Sequence, residues 1–205
     1  APIPGMSADI LNHDGSKTKT NDLGELVMRK SSIGLTKSLW NDDKRYIENY
    51  WSVIKNFWVH GDLASRDEDG HWYLHGRSDD TIKVSGKRIG PSELESAIIK
   101  TGKIKEVAAV GIPDEKKGSR IILSVVPLDE KDPIMTEEYL SNLIIKDLGK
   151  SFKPDKIIFV KDLPKTRNMK IMRRVIKSCL SNQDPGDIST LLNPESVDEI
   201  RSKGI

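Results

Sequence analysis

The rhythm of hydrophobic and polar positions along this chain changes near residue 80. Before it, short apolar stretches alternate with polar turns: residues 7–11 and 24–28 predict strands around the polar, turn-rich stretch 12–22. Tyr46, Tyr50 and Trp51 recur at near-helical spacing and predict a short helix over residues 42–51. Phe57-Trp58-Val59-His60 predicts a strand running into Gly61-Asp62. Residues 63–65 and 71–75 then predict a hairpin around the turn Asp67-Glu68-Asp69-Gly70.

Beyond Asp79-Asp80 the pattern becomes mixed. Residues 81–84 and 88–89 predict a second hairpin with Ser85-Gly86-Lys87 at its tip. Pro91 with Glu93 and Glu95 announces a helix to about residue 101, where Gly102 is a stop. Strands follow at 106–111 and 121–127, both largely apolar and β-branched. Thr136 starts a helix whose Leu140, Leu143, Ile144 and Leu148 share one face. A strand at 157–160, a helix at 171–180 and a polar tail expected to be partly extended complete the chain. The whole reads as α+β, a strand-rich part over residues 1–78 and a small α+β domain over residues 79–205.

Composition narrows the function. The 205 residues are 36% hydrophobic and 31% charged, with a formal net charge of +2. Such a small charge offers no bulk field for nucleic acid or an anionic membrane, so neither is expected as a partner. The longest apolar run, around residues 121–127, is far too short to span a bilayer. No secretory signal is expected, and a single cysteine excludes an intramolecular disulfide. A cytoplasmic setting is expected, with Cys179 buried beside Val175 and Ile176 on one helix face.

Positive charge is instead concentrated locally, in two loops. One is Gly76-Arg77-Ser78-Asp79-Asp80 with Lys83-Val84-Ser85-Gly86-Lys87-Arg88. The other is Leu163-Pro164-Lys165-Thr166-Arg167-Asn168-Met169-Lys170, inside a stretch 164–178 that holds six basic residues and no acid. Paired cationic loops suit a highly anionic ligand such as a nucleotide. Lys170 offers a compact point charge able to neutralise a phosphate and an attacking carboxylate as charge builds between them. The same stretch also reads as a solvated basic face. Its near lack of stacking aromatics argues against RNA. Asp62, at a strand end after Gly61, is placed to accept from both hydroxyls of a ribose, or simply closes a turn. Arg77 and Arg88 offer planar forks for phosphate, or pair with Glu93, Glu95 or Asp79.

Other chemistries find little. The sequence has no G-x-S-x-G, H-E-x-x-H or C-x-x-C, and its histidines at 13, 60, 71 and 75 are not spaced as a metal set. The acidic turn 67–70 runs straight into an alternating aromatic strand, without the further oxygen ligands of a calcium loop.

Taken in order, Trp58-Val59-His60-Gly61-Asp62, the Arg77 to Arg88 segment, and Leu163-Pro164-Lys165-Thr166-Arg167 with Lys170 resemble the C-terminal third of the acyl-adenylate-forming enzymes. Within them, Lys170-Ile171-Met172-Arg173-Arg174 and the tail Asp187-Ile188-Ser189-Thr190-Leu191 look most like the AMP-forming acetyl-CoA synthetase (acetate–CoA ligase) subfamily. The resemblance covers essentially the whole chain. It implies ATP, CoA and Mg2+, with acetate or another short-chain carboxylate activated as an acyl-adenylate and then passed to the CoA thiol. By motif position it implies Lys170 as the catalytic lysine of adenylation, Asp62, Arg77 and Arg88 as nucleotide-binding, Ser85 and Gly86 as CoA-binding, and Asp79 as a hinge. No Mg2+ ligand is assigned to these residues.

One position departs from the family pattern. Asn168-Met169 stands where Ser-Gly usually precedes the lysine, adding a Cβ where the loop needs an unusual dihedral. Acetylation control of Lys170 is put in question by the same change. The family's phosphate loop, adenine pocket and acyl pocket have no counterpart in this sequence. The chain is therefore expected to be a portion of a longer enzyme, inactive alone and completed by a missing N-terminal part. The alternative is a non-catalytic nucleotide- or CoA-binding module that completes another polypeptide.

Overall fold

A computed structural model describes residues 2–129 and 131–204. The chain divides into a first unit ending at Asp79 and a second beginning at Asp80.

In the first unit, β1 (Ala8–Leu11), β2 (Gly24–Met28), β3 (Trp58–Arg66) and β4 (Trp72–Arg77) form an antiparallel four-stranded meander in chain order. A helix, α1 (Asp43–Tyr50), lies between β2 and β3 in the chain. Asp42 caps it by accepting from the Arg45 amide at 3.2 Å. Apolar burial here is modest. Leu11, Val27, Ile54 and Val59 form one small cluster, and Met28, Tyr46 and Trp58 another.

The second unit is built on a three-stranded sheet. β7 (Ile104–Asp114) and β8 (Gly118–Pro127) make a long antiparallel hairpin, and β9 (Lys156–Phe159) lies parallel to β8. Both long strands outrun the apolar stretches that predicted them. Gly118, at φ +82°, and Asp114, whose Oδ1 accepts from the Lys116 and Lys117 amides, close a tight loop between charged strand ends.

Alternation along β7 sends Val107 and Ala109 to one face and Ala108, Val110 and Ile112 to the other. The first face is covered by α2 (Pro91–Ile99), α3 (Glu137–Leu148) and the short hairpin β5 (Ile82–Val84)–β6 (Lys87–Ile89). The second is covered by α4 (Arg173–Leu180) and α5 (Glu195–Lys203). Helix starts follow their sequence signals. Pro91 occupies the first turn of α2 while Glu93 accepts from the Gly90 amide at 3.0 Å. Thr136 caps α3 by accepting from the Tyr139 amide at 3.1 Å.

The tail is partly extended, as expected, and its end adds a helix that was not. Helix α5 buries Val197 and Ile200 against the face that holds Val175, Ile176 and Cys179. Two apolar positions three apart within nine residues are too brief a period to stand out in a polar sequence. Cys179 is fully buried, as expected, and burial pushes its thiol pKa up. Among the described residues no helix is long and apolar enough to cross a membrane.

Candidate functional site

Asp62 lies within a strand, which corrects the expected strand end. The nine-residue β3 runs on through Gly61, whose φ of +84° supplies a kink without ending the ladder. The pairing slips by one residue between Leu63 and Ala64, and Asp62 then faces Arg77 across the sheet. The His60 Nδ1 sits 2.5 Å from Asp62 Oδ2, and the Arg77 guanidinium is 3.8 Å from Oδ1. Each oxygen of the Asp62 carboxylate thus has its own cationic or donor neighbour.

Arg77 is itself held from two further sides. Its Nη1 donates to the His60 carbonyl at 3.2 Å and its Nε to Asp79 at 3.1 Å. A Cβ at position 61 would come within 2.7 Å of the guanidinium, so glycine serves here twice, for φ and for space. Tyr50 stacks on Trp58, whose ring meets His60 edge-on, and this row of rings orients the imidazole toward Asp62. Pairing of Arg77 with Asp79, one of the alternatives open from sequence, is present. Glu93 accepts from the Gly90 amide at the start of α2, and Glu95 pairs with Arg173.

The acidic turn 67–70 closes on itself. Asp67 accepts from the His71 amide at 2.8 Å and the Tyr73 hydroxyl at 2.9 Å. Loss of hydration is the largest single influence and works against the Asp67 charge, but the His71 and Tyr73 donors together outweigh it and hold the carboxyl below the ordinary value. Asp67, Asp69 and His71 come close enough to share an ion, and all of them belong to the hairpin turn.

In the second unit, Ser85 and Gly86 occupy the tip of the β5–β6 hairpin, both with positive φ, +49° and +79°. A two-residue turn that matches the strand twist needs that conformation at both positions. A Cβ at Gly86 would meet nothing within 4 Å, so dihedral and not crowding within the chain asks for glycine there. The Ser85 amide donates to the Lys117 carbonyl at 2.8 Å, and Lys87 reaches Ser151 Oγ at 3.1 Å. Arg88 lies on β6, opposite Lys83.

The basic stretch 164–178 does not act as one cationic face. Lys165 is only 4% exposed, and its ammonium lies 2.9 Å from Glu106 and 2.7 Å from Asp162. Burial disfavours its charge, but the two carboxylates outweigh that and hold its pKa above the ordinary value. Arg173 forms a two-pronged pair with Glu95, and Arg174 donates to the carbonyls of Pro185 and Asp187. With these three paired, Arg167, Lys170 and Lys177 remain exposed, with no side-chain partner among the described residues.

Lys170 ends a tight hairpin. Lys165 pairs with Ile171, the Thr166 amide donates to the Lys170 carbonyl at 2.9 Å, and the Met169 amide to the Thr166 carbonyl at 2.8 Å. In a three-residue loop of this kind the last position takes the left-handed region. Met169 does so, at φ +61°, the unusual dihedral expected where glycine is missing. A surface depression of about 640 Å³ beside Lys170 is lined by Thr166, Arg167, Asn168, Ser189 and Thr190. The contacts of His60, Glu106, Asn193 and the Ser189-Thr190 wall went unread in the sequence. Each meets its partner only through strand register or tertiary packing.

Residues 93–170 match the AMP-binding enzyme C-terminal domain. The chain carries that domain of the AMP-binding enzymes. Acetyl-coenzyme A synthetase of Methanothrix soehngenii is 38% identical over 97% of this chain, and that of Helicobacter pylori strain G27 is 40% identical over 98%. The chain spans only 31% and 32% of those two relatives, so it corresponds to a C-terminal portion. Among solved structures, acetoacetyl-CoA synthetase of Streptomyces lividans shares the fold over 99% of this chain, with a TM-score of 0.85 at 23% identity. An amide bond synthetase of Marinactinospora thermotolerans follows over 86% of it, with a TM-score of 0.73 at 26% identity.

Proposed function

We propose that this chain is the C-terminal portion of an AMP-forming acetate (short-chain acyl)–CoA ligase. In step one a carboxylate oxygen attacks the α-phosphorus of ATP and pyrophosphate leaves. In step two the CoA sulfur attacks the acyl carbon and AMP leaves. Residues 1–78 complete the large body that holds ATP, and residues 79–205 rotate about Asp79 between the steps. The unpaired Cys179 suits a reducing, cytoplasmic setting.

Within this reading Lys170 is the adenylation lysine. Its amine neutralises charge shared between the attacking carboxylate and the α-phosphate. Asp62 accepts from the ribose hydroxyls, with His60 and Arg77 fixing its two oxygens. Arg77 also faces the nucleotide, and Arg88 assists adenylation. The Ser85-Gly86 turn lies beside the pantetheine arm of CoA. Mg2+ accompanies ATP and takes its ligands from outside this chain.

The observation that carries the proposal is Lys170 itself, exposed and unpaired at the end of an anchored hairpin while Lys165 is neutralised beneath it. Catalysis needs both halves of the site in one molecule. The test is a chimera in which this chain replaces the corresponding region of the Helicobacter pylori relative. It is expected to form acetyl-CoA, and its Lys170→Ala variant to lose acetate-dependent ATP–pyrophosphate exchange. The chain alone is expected to show no such exchange. A folded chimera that binds nucleotide but makes no acyl-adenylate would instead mark a non-catalytic module.

A further inference from the structure

The tail motif Asp187-Ile188-Ser189-Thr190-Leu191 takes no part in the chemistry proposed above, and it lies outside the region matched by the AMP-binding domain. We infer that residues 187–193 are a strap that sets the conformation of the Lys170 hairpin, with Asn193 as its positioning residue. The catalytic consequence rests on the reading of Lys170 given above; the structural one does not.

On its own the hairpin is weakly held. It has one bridge pair, three backbone hydrogen bonds (the Met172 amide to the Pro164 carbonyl at 2.8 Å besides the two in the turn), a long one from the Lys170 amide to Thr166 Oγ1 at 3.3 Å, and a methionine in the left-handed region. A ribbon this short is marginal in water without a further strand or a packed face. The tail supplies that strand. Thr166 pairs with Leu191, and the Leu192 amide donates to the Lys165 carbonyl at 2.8 Å.

Asn193 completes the clamp from a buried position. Its Oδ1 accepts from the Lys165 amide at 3.0 Å, while its Nδ2 donates to Asp162 and to the Leu163 carbonyl, both at 2.8 Å. Both backbone groups of Lys165 are therefore taken by the tail, and the carboxylate that pairs with its ammonium is held by the same asparagine. The strap is anchored at each end. Arg174 grips the carbonyls of Pro185 and Asp187, and α5 follows with Val197 and Ile200 buried. Ser189 and Thr190 then form the far wall of the depression beside Lys170. A strap fixed this firmly decides where the Lys170 Cα stands, although the amine stays free to move.

The test reads amide exchange by NMR in the 205-residue chain. Asn193→Ala leaves the Lys165 amide and the Leu163 carbonyl unpaired. The Thr166 and Met169 amides should then exchange about 10-fold faster or more, with the Ala109 and Ile122 amides unchanged. Uniform loss of protection, or none at the hairpin, would overturn the strap. Should the variant not fold, the unmodified chain in low urea decides. The Leu192, Lys165 and Thr166 amides should open together with one denaturant dependence, and a hairpin that stays protected while Leu192 exchanges refutes the proposal. In the chimera, Asn193→Ala should slow adenylation by roughly 10- to 100-fold. Thioester formation from supplied acyl-adenylate should be spared, a split that lowered folding alone would not produce. Unchanged adenylation in Asn193→Ala beside its loss in Lys170→Ala removes the positioning role. Unchanged adenylation in Lys170→Ala removes the role of the lysine and leaves the exchange experiment to decide the strap.

Discussion

Lys165 reaches down to within 2.9 Å of Glu106 on β7, while five positions on Lys170 stands exposed. One lysine is spent on holding the loop and the other stays exposed. Division of labour between two cations in one motif explains how a basic loop stays in place while keeping a charge at the surface. A loop whose cations all faced outward would repel itself before any anion arrived.

Replacing Lys165 by methionine should therefore cost stability. Glu106 and Asp162 would lose a partner that is itself almost fully buried, and removing one side of such a cluster destabilises by about 2–4 kcal/mol. Urea denaturation of the chain, followed by tryptophan-independent far-UV dichroism, measures it. Lys165→Arg keeps the charge and should recover part of the loss. A methionine variant as stable as the parent would show that the cluster is not a stabilising one.

Acid should loosen the same region. The Asp162 carboxyl is pushed up by burial, but the Lys165 hydrogen bond and the Leu163 amide outweigh this and leave it below its ordinary value of 3.8. Glu199, which accepts from Lys203 and the Lys161 amide, is likewise held below its ordinary 4.5. A carboxylate lowered in the folded state contributes stability that is full above its unfolded pKa and disappears as pH falls through the folded one. Stability of the second unit should thus decline below about pH 4.5, and more shallowly in Asp162→Asn. Equal slopes for both proteins would remove Asp162 from the account.

Met169→Gly should make the chain more stable, by about 0.5–1 kcal/mol, because glycine enters the left-handed region without the Cβ penalty. Met169 is exposed and gives up little packing in exchange. The urea midpoint should rise with an unchanged slope. A lower midpoint would mean that the methionine side chain contributes a contact worth more than the strain.

Much of the fold could be read in advance. Gly90-Pro91 with Glu93, and Thr136 before two acids, are local signals, and local hydrogen bonds act on them wherever the chain goes. The β-branched runs of β7 and β8 were equally plain, although their charged ends were not, since those ends are strand only because they pair with each other. The position of Asp62 was misread because Gly-Asp after an apolar run looks like a stop, whereas a positive φ at Gly61 lets the ladder continue. The inward turn of Lys165 depends on a glutamate 59 positions away, and no local pattern carries that information. Asn193 is the same case at a separation of 28 residues.

Gly61→Ala tests the nucleotide end of the reading through backbone geometry. The added methyl group would sit in a strained dihedral and 2.7 Å from the Arg77 guanidinium. The guanidinium can move, so the clash is cheap, but its hydrogen bond to the His60 carbonyl is lost and the dihedral cost of about 1–2 kcal/mol remains. Thermal unfolding of the first unit should fall accordingly. In the chimera the KM for ATP should rise severalfold, because Arg77 and Asp62 face one another across the sheet and shift together. Adding Arg77→Ala to Gly61→Ala should then cost less than Arg77→Ala does in the parent, since the guanidinium has already been displaced. Strict additivity of the two substitutions would separate Gly61 from Arg77 and leave the glycine a purely conformational role.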